Sequence, residues 1–119
     1  VPHTLAADGD ALDVLVVTPV PLVHNCVIAA RPIGILEMTD EAGRDSKVIA
    51  VPAKGLKSAS DHIQEISDLP PLLLEQIEYF FEYYKVLDSD KWVKIDGWKG
   101  ADVAKQAVSD SIKMYNDQA

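Results

Sequence analysis

The hydrophobic pattern changes period near residue 70, and that change restricts the fold more than any other feature of the chain. Before it, apolar residues come in short runs: "VLVV" at 14–17, "VIAA" at 27–30, "IGILEM" at 33–38 and "KVIAV" at 47–51. Each run is short, rich in β-branched side chains and bounded by turn residues, so each predicts a β-strand. After it, Leu72, Leu73, Ile77, Phe80, Phe81 and Tyr84 recur at helical spacing, with Asp68 as N-cap and Pro70 or Pro71 in the first turn. A strand over Trp92–Ile95 and a turn at "DGWKG" lead to a second amphipathic helix, marked by Val103, Ala104, Ala107, Val108, Ile112 and Tyr115. The stretch between, "PAKGLKSASDHIQEISD", reads as loop with room for one short helical turn. Strands, helix, strand, helix make the fold class α+β. No repeat or low-complexity tract divides the chain, so residues 1–119 read as one domain.

Composition narrows the function. Hydrophobic residues at 48% and charged residues at 25% are a globular balance, not a disordered one. No apolar run reaches the roughly 20 residues of a membrane span, and Pro19, Pro21 and Pro32 interrupt the longest candidates. Nothing marks export, and the single Cys26, within "CVIAA", reads as a buried thiol in a reducing compartment. A cytoplasmic protein without a membrane partner is the expectation. The net charge of -8 also argues against nucleic acid, whose phosphates need a basic face.

The acids are not spread evenly. "DGDALD" sets Asp8, Asp10 and Asp13 just before an apolar strand, and Asp40, Glu41 and Asp45 follow another. Adjacent carboxylates repel unless something positive sits between them. Carboxylate and water oxygens suit magnesium, which keeps several waters and prefers substrate phosphates to a full protein cage. Taken singly, each cluster reads more readily as a polar turn than as a ligand set. Lys47, two residues after Asp45, projects on the same side of an incipient strand. Tyr84-Lys85 closes the first helix, where a lysine also complements the helix dipole. Trp92 and Trp98 read as packing residues, and His3, His24 and His62 lack metal-ligand spacing. "AGRD" has neither the length nor the lysine of a phosphate loop. From the residues alone the reading stops at an acidic α+β domain with a candidate magnesium site.

Three segments in order go further. "DGDALDVLV" resembles the signature of the family I soluble inorganic pyrophosphatases, Asp-x-Asp-Pro-x-Asp followed by apolar residues. "RPIGILEMTDEAGRDSKVIAVP" is similar to that family's second acidic segment, and "LPPLLLEQIEYFFEYYK" with "KWVKIDGW" to its helix and late strand. The resemblance spans essentially the whole chain and is closest to bacterial members. It implies a small closed β-barrel of the oligonucleotide-binding type with two main helices packed outside. It implies that Asp8, Asp13, Asp40 and Asp45 bind Mg2+, that Asp10 accepts a hydrogen bond or proton from the attacking water, and that Lys47, Tyr84 and Lys85 hold phosphate oxygens. The implied activity is magnesium-dependent hydrolysis of inorganic diphosphate to two phosphates, in a homo-oligomer that is a hexamer among bacterial relatives.

The chain departs from the pattern in three ways. Ala11 stands where proline is usual, and Arg44 where an acidic residue is common. Family members also carry several dozen residues ahead of the first acidic motif, which supply barrel strands and further phosphate-binding groups. The chain therefore reads as the C-terminal two-thirds of a pyrophosphatase, lacking the first strands of the barrel. Two competing expectations follow: an inactive remnant that keeps a metal-binding loop and an oligomer surface, and, more distantly, a barrel used as a binding module.

Overall fold

The computed structural model describes residues 1–53, 60–85, 87–88 and 90–118. Five strands form one sheet: β1 (Asp13–Val16), β2 (Ala30–Asp40), β3 (Gly43–Arg44), β4 (Lys47–Pro52) and β5 (Val93–Gly100). Two helices pack on it, α1 (Pro71–Tyr83) and α2 (Ala101–Asp117). The long β2 organises the sheet. It pairs antiparallel with β4 through its first half, with β3 at its end and with β5 through its second half. β1 lies outside β4 and runs parallel to it. The sheet curls into an open half-barrel, with the α+β order of elements that the period change predicts.

The strand expected at 27–30 and that expected at 33–38 are not two. Only Ala30 of the first belongs to a strand, and β2 continues through Arg31-Pro32. Proline costs β2 nothing decisive because a bulge falls between Pro32 and Gly34. That bulge turns Ile33 to the same core as Leu36 and Met38, while Ile35 faces the other way. Gly34 is held to glycine by close approach, since a Cβ there would overlap the Ile66 side chain.

The two faces of the sheet bury different cores. One gathers Ile33, Leu36, Met38, Ile49, Val51, Ile63, Leu69, Ile77 and Phe81 beneath α1. The other joins Leu12, Ile35, Val48 and Ala104 beneath α2. "DGWKG", expected as a turn, lies inside β5. A bulge opposite Glu37 and Met38 absorbs the extra residue, and Gly97 takes the positive φ of +140° that it requires.

Other expectations move by small distances. Pro70, not Asp68, is the N-cap of α1, with Pro71 in its first turn. Asp68 instead closes a short 3-10 helix at Ile66–Asp68, its carboxylate accepting the Gln64 and Glu65 N–H groups. Residues 54–59 of the central loop lie outside the described residues. Leu72 and Phe80 sit on the predicted apolar face of α1 yet are exposed, as is Trp92; Trp98 packs on the core and donates to Glu78 Oε2 at 3.2 Å. Cys26 is exposed, against the expected buried thiol, because its segment forms no strand and stays off the sheet. Among the described residues, no helix is long and apolar enough to cross a membrane.

Candidate active site

Strand register builds the site. The parallel pairing of β1 with β4 sets Asp13 beside Lys47, and Lys47 Nζ donates to Asp13 Oδ2 at 2.6 Å. Asp45 lies two residues before Lys47, so both side chains leave the strand on one side, and Nζ also donates to Asp45 Oδ1 at 2.9 Å. The Asp45 N–H bonds Met38 O at 2.9 Å, which ties this corner to the end of β2. The two acidic segments, far apart in sequence, thus meet at one lysine.

Asp40 ends β2 and is buried. Its Oδ1 accepts the Ala42 N–H at 2.9 Å, closing the turn, and its Oδ2 accepts Lys85 Nζ at 2.8 Å. Lys85 arrives from the end of α1, just beyond the capping Tyr84. Glu41 completes this second centre, its Oε1 3.7 Å from Lys85 Nζ and its Oε2 accepting the Trp92 N–H at 3.4 Å. Two aromatic rings lie alongside, with Lys47 Nζ 5.8 Å from the Phe81 centroid and Lys85 Nζ 5.6 Å from that of Tyr84.

The ionisation states follow from these contacts. Burial pushes the Asp45 carboxyl upward, and the charges of Asp8 and Asp40 add to the rise, which Lys47 offsets only in part. Burial works equally against the Lys47 ammonium, but the bonds to Asp13 and Asp45 outweigh it and hold the lysine charged above its usual range. Asp40 is also raised by burial, yet the Lys85 and Ala42 hydrogen bonds prevail and leave it below the ordinary carboxylate value. The Asp40 hydrogen bond holds Lys85 well above the usual lysine range. Asp40 and the two ammonium groups are thus held in their charged forms by these contacts, while Asp45 is the carboxyl pushed toward protonation.

Of the residues singled out from sequence, Asp13, Asp40, Asp45, Lys47 and Lys85 are brought into direct contact. Asp8 acts on Asp45 through its charge and accepts the Asp10 N–H at 3.0 Å. Asp10 stays exposed in that loop, and Tyr84 is half-exposed against Phe80 and Phe81. Arg44 points away, 3.5 Å from Glu37. Sequence reasoning placed Glu41 in the acidic cluster without giving it a role, and treated Phe81 as core alone. Glu41's adjacency to Asp40 was the available signal; nothing local announces a ring beside Lys47.

The donor set fits a hard divalent cation. Every candidate ligand is a carboxylate oxygen, and two of the carboxylates, Asp40 and Asp45, are buried near one another. No three such groups among the described residues form a ready cage, because the lysines occupy the space between them. Magnesium does not need one, since one or two protein carboxylates with waters and substrate phosphates satisfy it.

These features define a class: an α+β protein whose curled sheet concentrates carboxylates and lysines on one rim, suited to cations and phosphate oxygens together. Comparison with known proteins makes it specific. Residues 1–116 match the family described as Inorganic pyrophosphatase. An inorganic pyrophosphatase of Vibrio vulnificus is 55% identical over 116 residues, covering 98% of this chain and 66% of its own length. One from Ralstonia nicotianae is 50% identical over 115 residues, covering 97% and 66%. Among solved structures, an inorganic phosphatase from Anaplasma phagocytophilum superposes with a TM-score of 0.94 at 42% identity, covering 97% of this chain and 67% of that one. The Helicobacter pylori inorganic pyrophosphatase superposes with a TM-score of 0.93 at 39% identity, covering 98% and 68%. The chain belongs to the inorganic pyrophosphatase family, and it spans about 66% of the length of the curated relatives it matches.

Proposed function

We propose that residues 1–119 are one domain of a cytoplasmic enzyme that hydrolyses inorganic diphosphate to two phosphates with magnesium. The observation that carries this reading is the meeting of both acidic segments at Lys47, with Lys85 beside them. Asp8, Asp13, Asp40 and Asp45 would hold the cation. Bound there, magnesium would neutralise charge on the diphosphate and lower the pKa of a water. Lys47, Lys85 and the Tyr84 hydroxyl supply donors for phosphate oxygens, and two ammonium groups offset anionic charge that a carboxylate rim alone would repel. Asp10, exposed at the mouth of its loop, is the acceptor for a proton of the attacking water.

The reading extends to a homo-oligomer and away from nucleic acid. Exposed Tyr79, Phe80 and Tyr83 on α1 support the first, and the net charge of -8 supports the second.

The test is magnesium-dependent phosphate release from diphosphate. It is run on this chain and on the chain joined to the segment that precedes the first acidic motif in the Vibrio vulnificus relative. Release is expected from the joined protein, with loss of at least roughly a hundredfold on Asp13→Ala, a barrier increase of about 2.7 kcal/mol. The 119-residue chain alone is expected to be at least roughly a thousandfold slower, about 4 kcal/mol. No release above background from the joined protein, or release indifferent to Asp13→Ala, overturns the reading.

A further inference from the structure

We propose that Lys47 and Lys85 are resident counter-ions of the carboxylate rim, and that a divalent cation must compete with them for the same oxygens. The inference rests on the cation site proposed above and adds a direction to it: each lysine weakens cation binding in the absence of substrate. Lys47 Nζ bridges Asp13 Oδ2 and Asp45 Oδ1 at 2.6 and 2.9 Å, so it occupies the position between two proposed ligands. Lys85 Nζ lies between the proposed ligand Asp40, at 2.8 Å, and the neighbouring Glu41, at 3.7 Å. Both lysines are inside the cluster rather than at its margin, with side-chain exposures of 8% and 17%. Among the described residues, no buried side-chain nitrogen or oxygen lacks a hydrogen-bond partner. A cation approaching Asp13, Asp40 or Asp45 therefore meets an oxygen that already accepts an ammonium.

The side chains are suited to exchange. An ammonium on a flexible stem with three rotatable donors moves more readily than a planar guanidinium fixed by a bidentate fork. Each Nζ already lies within 6 Å of an aromatic centroid, Phe81 for Lys47 and Tyr84 for Lys85. A ring face offers a displaced ammonium partial compensation without return to bulk water. Displacement also turns each lysine from carboxylate partner into free donor, which couples cation binding to the appearance of an anion site.

Isothermal titration with Mg2+ alone, without diphosphate, tests this on the 119-residue chain. Lys47→Gln and Lys85→Gln are each expected to tighten Mg2+ binding by about tenfold, because a neutral amide no longer competes for the carboxylates. Lys47→Arg and Lys85→Arg keep the charge and are expected to give no tightening. Circular dichroism monitors folding; if Lys47→Gln does not fold, Lys85→Gln and its Arg control decide alone. Unchanged or weaker Mg2+ binding in the Gln variants, with measurable binding by the parent chain, overturns the competition and leaves the cation site standing. Absence of Mg2+ binding in the parent and in every folded variant overturns the cation site, and this inference with it.

Discussion

Lys47 and Lys85 reach the same carboxylate rim by different routes, and the route governs how firmly each is held. Lys47 begins β4, inside the sheet, where β1 pairs beside it and places Asp13 at its register position. Backbone hydrogen bonds of two strands fix its Cα before the side chain makes any contact. Lys85 lies one residue past the cap of α1, where a single turn bond from the Asp88 N–H to its carbonyl, at 3.0 Å, takes the place of a strand ladder. Its position depends on Asp40 at the end of β2 and on Glu41, itself tied to the start of β5 through the Trp92 N–H. Equal charges thus sit on unequal foundations: one centre is a product of strand register, the other of side chains meeting across three elements.

The largest expected effect tests that difference directly. In cation-free buffer, Lys47→Met should lower unfolding free energy by about 3 kcal/mol, because it leaves the buried Asp45 carboxylate without its partner. Lys85→Met should cost about 1.5 kcal/mol, since the Ala42 N–H still holds Asp40. Urea denaturation measures both, and equal losses would erase the distinction between the centres. A smaller effect separates the pairs themselves. A double-mutant cycle on Lys47 and Asp45 should give a coupling of about 2 kcal/mol, and one on Lys85 and Glu41 about 0.5 kcal/mol or less, because that contact is 3.7 Å long and Glu41 is partly exposed.

Glu41→Gln sharpens the second centre further. It should change stability by about 0.5 kcal/mol, because Lys85 keeps its shorter contact to Asp40. Urea denaturation in cation-free buffer reads the change, and a loss as large as that of Lys85→Met would show that Glu41 rather than Asp40 holds the lysine. The smallest effect lies outside both centres. The Gln64 and Glu65 N–H groups, with less opposition from burial, hold Asp68 below its ordinary 3.8. A carboxylate depressed in the folded state contributes stability above pH 3.8 that is lost as pH falls through the lower folded value. Asp68→Asn should therefore flatten the acid limb of a thermal-melt series below pH 3.8 without altering the difference between the two lysine variants.

Much of the architecture was legible along the chain. Leu73, Ile77 and Phe81 on α1, and Ala104 and Ala107 on α2, declare their helices by spacing, because helical hydrogen bonds join residues four apart and their pattern is written locally. The same holds for Asp45 and Lys47, whose separation by two residues on an extended backbone places both on one side. The acidic segments were visible as segments, and their resemblance to a known signature named the residues to watch.

Tertiary structure decided what depends on distant partners. Strand hydrogen bonds join residues of any separation, so nothing near Arg31-Pro32 reveals that β4 carries β2 straight through it with a bulge. Nothing within "DGWKG" reveals that β2 lies opposite and converts a turn signal into strand, with Gly97 at the bulge. The exposure of Cys26 has the same cause, since an apolar segment is buried only if a partner covers it. The pairing of Asp13 with Lys47 is the clearest case. Both residues could be marked in advance as binding groups, but only the parallel register of β1 on β4 makes each the other's partner, turning two acidic segments and a lysine into one site.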